Sequence, residues 1–154
     1  MASHQPTPSA SVEEQIGYLF KVVQTALRSS MDAALADIGL TTPIYAALAS
    51  LHAWPDMSKA DLARRCFVRP QSMTRVLAAM TEDGLIERRP HPQHGRVLQT
   101  RLTERGESVL ARADEAVGAV VEHMLDGIST RDRRTFLRLL ERSRDQLASA
   151  TPAQ

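Results

Sequence analysis

From Val12 to about Ala36 the apolar residues recur at Ile16, Leu19/Phe20, Val23, Leu27, Met31 and Leu35. Steps of three and four place them on one stripe of a long helix. A second helix is predicted from Thr42 to Ala53, with Pro43 in its first turn, before Trp54-Pro55-Asp56 breaks the pattern. A short helix should begin at Ser58, where Ser58-Lys59-Ala60-Asp61 has the form of a capping box. Leu62, Ala63 and Cys66 supply its inward face. After Phe67-Val68-Arg69 another helix is expected from Pro70 to about Asp83, with Met73, Val76, Leu77 and Met80 on its apolar side and Gly84 as its stop.

The period then changes from that of a helix to that of a strand. Leu85–Arg89 and Val97–Leu102 read as two strands, the second with Leu98, Thr100 and Leu102 on one face. The turn residues from Pro90 to Gly95 between them imply a hairpin. Thr103 and Glu104 open a further long helix to about Asp126, with Val109, Ala113, Val117, Val120/Val121 and Met124 along one side. Gly127 ends it, and Ser129-Thr130-Arg131-Asp132 caps a last helix carrying Phe136, Leu137, Leu140 and Leu147. The expected fold class is mainly α with a small β-hairpin (α+β).

A chain of 154 residues suits one domain with a substantial core. Its Pro- and Ser-containing ends read as disordered, residues 1–11 forming an arm ahead of a domain at 12–150. Apolar runs stay well short of the roughly 18 residues of a membrane span, and the start does not read as a signal peptide. The single Cys66 rules out an internal disulfide and fits a reducing cytoplasm.

The net charge of +1 conceals an asymmetry. Residues 58–103 hold nine Lys/Arg and four Asp/Glu, a local +5, between flanks that sum to −4. A basic middle between acidic flanks is expected where one segment meets a polyanion, although a solvated Arg-rich face has the same composition. The arrangement decides between them. Two short helices joined by a tight turn and followed by a basic hairpin make a winged helix-turn-helix, with its second helix sized for the major groove. Arg69, Gln71, Ser72, Thr74 and Arg75 cluster at the start of the Pro70 helix, away from its apolar side. Gln pairs with adenine and Arg with guanine, while Ser and Thr reach bases or phosphates. Arg88, Arg89 and the hairpin-tip His94 and Arg96 are placed to follow the backbone into the minor groove.

The ordered set Leu62-Ala63, Met73-Thr74-Arg75, Glu82-Asp83-Gly84-Leu85-Ile86-Glu87-Arg88, Arg96 and Leu102-Thr103-Glu104-Arg105-Gly106 resembles the multiple antibiotic resistance regulator (MarR) family. The resemblance covers roughly residues 12–148. It implies a homodimer built through helices 12–36 and 103–148, around a winged helix-turn-helix at 42–102. It further implies a transcription regulator, expected to be a repressor of palindromic operators on double-stranded DNA, released by a small phenolic or aromatic acid. Tyr18, Tyr45, His52 and Trp54 are the residues expected to line a cleft for such a ligand. The family's wing carries an acid two residues before its Arg, whereas this chain has His94 there. Below its reference pKa of ~6.5 that His would add positive charge, so DNA affinity should rise as pH falls.

Other chemistry is weaker. Phosphate-loop, nucleophile-elbow and paired-histidine metal patterns are missing, so neither an enzyme nor a cofactor is expected. His91-x-x-His94 offers two ligands on a turn, a poor metal site. Cys66 reads as a buried, inert thiol, with a redox-sensing role as the alternative. The remaining alternative is a winged-helix module that binds protein instead of DNA.

Overall fold

A computed structural model describes residues 11–90 and 98–150. Among them, six helices and one hairpin follow the order α1 (Val12–Ala36), α2 (Thr42–Ala53), α3 (Lys59–Arg65), α4 (Pro70–Glu82), β1 (Ile86–Pro90), β2 (Leu98–Leu102), α5 (Glu104–Met124) and α6 (Thr130–Ala150). The predicted elements are present and their ends agree within a residue or two. The hairpin tip, with Val97, His91, His94 and Arg96, lies outside the described residues, as does most of the N-terminal arm. Among the described residues no helix is long and apolar enough to cross a membrane.

Caps explain the helix starts. Ser11 and Glu14 form a complete capping box on α1, each side chain bonding the other's backbone N–H, at 2.9 and 3.2 Å. The boxes predicted at Ser58 and Ser129 are only half made. Each Ser hydroxyl accepts from the Asp N–H three residues on at 3.2 Å, but donates its own proton to the Asp carboxylate, at 2.6 and 2.7 Å. Asp is one methylene shorter than the Glu this reciprocal bond favours, and it takes the nearer donor.

The chain divides into two compact units, one ending at Val120 and the other beginning at Val121. In the first, Leu35, Leu48, Leu51, Leu62, Met73 and Met80 are fully buried and join α1 through α4. The antiparallel hairpin pairs Ile86 with Leu102 and Arg88 with Thr100, so the buried Ile86 and Thr100 turn to the core. The start of α5 is fitted to this hairpin. Thr103 donates its N–H to the Leu85 carbonyl at 3.0 Å and its hydroxyl to the Gly84 carbonyl at 2.7 Å, and accepts from the Gly106 N–H at 3.0 Å. Gly106 is needed because a Cβ there would lie 2.1 Å from the Leu85 oxygen. Gly84 turns the chain out of α4 with φ of +67°.

In the second unit, Arg133 bonds the Glu122 carboxylate at 2.6 Å, the Ile128 carbonyl at 3.0 Å and the Leu125 carbonyl at 2.9 Å. Carbonyls of the turn that follows α5 are thereby satisfied by the first turn of α6. Among the described residues two apolar stripes are exposed. Ile16, Leu19 and Phe20 of α1 are exposed, with Phe20 at 61%. Phe136, Leu137 and Leu147 of α6 are exposed as well, and none of the described residues of that helix is buried.

Candidate nucleic-acid interface

The face of α4 opposite its core side is set by the same period that buries Met73, Leu77 and Met80. Gln71, Thr74 and Arg75 are exposed on it, Ser72 is half-buried, and Arg69 stands exposed as the N-cap. An arginine cannot accept a hydrogen bond, so the first-turn N–H groups of α4 have no side-chain cap. Arg69, Arg75 and Arg88 make no ion pair among the described residues. The Thr74 hydroxyl is engaged, donating to the Pro70 carbonyl at 3.2 Å and accepting from Lys59 Nζ at 3.3 Å. Packing thus brings Lys59, at the start of α3, beside the first turn of α4. Sequence reading counted this lysine only as charge.

On the hairpin, Arg88 and Arg89 are both exposed, but Arg89 is bonded to Glu87 at 2.9 Å. Arg101 also faces outward and its guanidinium grips Asp56 through two bonds, with Nε to Oδ1 at 2.7 Å. Asp56 in turn donates its N–H to the Thr100 carbonyl at 3.1 Å. Its left-handed backbone, φ +65°, allows both contacts at once, and the α2–α3 turn is thereby clamped to β2. Arg101 contributes to the basic composition of this segment, but its charge is spent on positioning the hairpin. His94 and Arg96 lie outside the described residues.

The turn between α3 and α4 holds an unexpected residue. Val68 donates its N–H to the Ala63 carbonyl at 3.0 Å and Phe67 to the Arg64 carbonyl at 3.2 Å, the paired pattern that ends a helix on a left-handed residue. Glycine normally takes that position. Here it is Phe67, with φ of +54° and 96% of its surface exposed. A left-handed non-glycine residue costs about 1–2 kcal/mol.

Of the four positions expected around a ligand, three have polar or cationic partners in the chain. Tyr45 and His52 lie on one side of α2 and bind acids of α5. The Tyr45 hydroxyl donates to Asp114 at 2.9 Å, and His52 Nδ1 lies 2.7 Å from Glu107 Oε2. Burial, reinforced by the Asp114 bond and its charge, pushes the Tyr45 phenol up to about 12. Trp54 instead stacks against Arg65, whose guanidinium carbon is 3.2 Å from the ring centroid. Tyr18 is half-buried on α1, and no hydrogen bond or ion pair joins it to the others. Cys66 is half-buried. Burial raises its thiol pKa, against opposing effects of the Ser50 hydroxyl, 3.8 Å away, and of Arg65. Among the described residues no group of three His, Cys, Asp or Glu is arranged to hold a metal ion.

A short helix, a tight turn, a helix with an outward polar and cationic face, and an antiparallel hairpin define a winged helix-turn-helix protein. The MarR family model matches residues 38–97. The HTH-type transcriptional repressor Rv2887 of Mycobacterium tuberculosis is 36% identical over 127 residues, covering 82% of this chain and 91% of that one. The chain belongs to the MarR family. A crystal structure of Rv2887 with salicylic acid superposes with a TM-score of 0.71 at 35% identity, over 88% of this chain and 97% of the other. One of Rv2887 with DNA gives 0.71 at 33% identity, over 87% and 98%.

Proposed function

We propose that this protein is a homodimeric transcriptional repressor that binds palindromic double-stranded DNA and is released by a small aromatic acid. The carrying observation is the outward face of α4, where Gln71 and Arg75 follow the N-cap Arg69. All three are exposed, and the helix is pinned from behind by Met73, Leu77 and Met80. Unpaired guanidiniums on a rigid helix are pre-organised donors for guanine edges and phosphates. Lys59 adds a phosphate contact from α3, as the first helix of such a pair does when it crosses the backbone. Arg88 adds one from the hairpin, with His94 and Arg96 extending it into the minor groove. This is the work of a regulator in the cytoplasm, with no catalytic step.

A second copy covers the exposed stripes of α1 and α6, since apolar surface of this extent is otherwise in water. Two-fold symmetry then spaces the two α4 helices to read half-sites about one helical turn apart. For the effector, the Trp54–Arg65 pair joins an aromatic plane to a cation, the chemistry an aromatic carboxylate needs. Tyr45 and His52 face Asp114 and Glu107, which would repel such an anion. Rv2887 binds salicylic and p-aminosalicylic acids, which supports this class of effector. An effector that prefers the DNA-free form weakens DNA binding by the factor by which DNA weakens its own.

Selection of bound duplexes from a random pool tests the reading. The expected result is a palindrome whose affinity falls with salt at a slope of about −0.9 per phosphate contact. Purified protein that prefers no duplex sequence, even at low ionic strength, would refute it. Salicylate should then shift the selected complex toward free DNA, and Arg65→Ala should abolish that shift.

A further inference from the structure

The turn that delivers α4 carries a residue that folding alone does not favour. Phe67 occupies the left-handed position where glycine is unstrained, and its ring is 96% exposed. Both features oppose stability, and neither is relieved inside the chain. No other side chain hydrogen-bonds or stacks over the ring among the described residues. Yet the backbone is firmly held, by the Val68 and Phe67 N–H bonds to Ala63 and Arg64 at 3.0 and 3.2 Å. An aromatic side chain is therefore displayed from a fixed point. Strain and exposure that persist together mark a place selected for contact.

The position identifies the partner. Phe67 lies two residues before Arg69, the N-cap of α4, so their Cα atoms are at most about 7.6 Å apart along the chain. Of its exposed neighbours, Arg64 bonds Asp61 and Arg65 lies over Trp54, while Arg69 makes no ion pair among the described residues. An apolar ring displayed two residues before the N-cap arginine of α4 suits a polyanion with apolar edges better than an apolar protein surface. Duplex DNA has such edges in the deoxyribose and the thymine C5-methyl group. Resting on the DNA-binding reading above, we propose that Phe67 is an apolar DNA contact. Its ring lies against a sugar edge or thymine methyl beside the groove that receives α4.

The test uses the full-length protein and its selected operator, with affinity measured by fluorescence anisotropy. Phe67→Gly and Phe67→Asn both tolerate the left-handed backbone, so the fold should be kept and the thermal midpoint unchanged or raised. Operator affinity should nevertheless fall roughly five- to tenfold in both, with the salt slope unchanged because no charge is lost. Phe67→Tyr should bind as the wild type does. Replacing operator thymines one at a time by deoxyuridine separates the two edges. A methyl contact makes one position sensitive in the wild type and insensitive in Phe67→Gly, whereas a sugar contact leaves the two proteins with the same pattern of sensitivity. Wild-type affinity and sequence preference in Phe67→Gly would overturn the inference while leaving the DNA-binding reading intact. A wild-type protein that selects no duplex would overturn both.

Discussion

Replacing Gly106 by Ala should separate the start of α5 from the hairpin. The added Cβ would stand 2.1 Å from the Leu85 oxygen and 3.1 Å from its carbonyl carbon, far inside contact distance. The obstacle is backbone, and it is tethered twice: Leu85 donates its N–H to Met80 at 2.8 Å and accepts from Thr103 at 3.0 Å. Relief requires α5 to retreat by about 1 Å, which stretches the Thr103 bond. Overpacking costs about 1–3 kcal/mol and the weakened hydrogen bond about 1 kcal/mol, while alanine recovers about 1 kcal/mol of helix propensity. The net loss is roughly 1–3 kcal/mol, or about 3–10 °C in Tm for a chain of this size. Thermal melts followed by circular dichroism, at one fixed protein concentration because dimerisation shifts Tm, would read it. Gly84→Ala is the control. Its backbone is left-handed, φ +67°, but the nearest atom to a new Cβ is 4.0 Å away, so only strain of about 1 kcal/mol is added. A Gly106→Ala protein melting within a degree of the wild type, or above Gly84→Ala, would refute the packing argument.

Arg75→Ala should cost about 1–3 kcal/mol of operator binding and relax preference at one base pair if the guanidinium reads a base; equal weakening on every duplex would assign it to phosphate instead. Tyr45→Phe should lose about 1 kcal/mol at neutral pH, a modest figure because the Tyr45–Asp114 bond is partly solvated. The folded phenol titrates near 12 against an ordinary 10.0, so its contribution is complete below pH 10 and disappears as pH rises toward 12. Denaturant titrations of both proteins at pH 8 and 11.5 should therefore converge at the higher pH, and a constant gap would contradict the assignment. Cys66, with its pKa raised by burial, should react with iodoacetamide more slowly than free cysteine at pH 7.5; faster alkylation would favour the thiol-sensor alternative.

The elements themselves were legible because their causes are local. Apolar spacing along α1 and α4, Pro43 and Pro70 in first turns, the Ser58 and Ser129 caps and the stops at Gly84 and Gly127 each act within a few residues, so the chain alone located the helices. The basic character of residues 58–103 follows from composition, and the outward face of α4 from the same apolar spacing.

Only the tertiary structure decided which charges are available and which aromatic residues meet. The Asp56–Arg101 clamp joins residues 45 apart, His52–Glu107 joins residues 55 apart and Tyr45–Asp114 residues 69 apart. Hydrophobic periodicity says which side of a helix faces inward but not what stands opposite, so the sequence counted Arg101 with the basic surface and could not pair Tyr45 with Asp114. The left-handed backbone of Phe67 was hidden for a related reason. A helix end can be read from a glycine, but when another residue takes that conformation, only its φ and the hydrogen bonds of its neighbours reveal it.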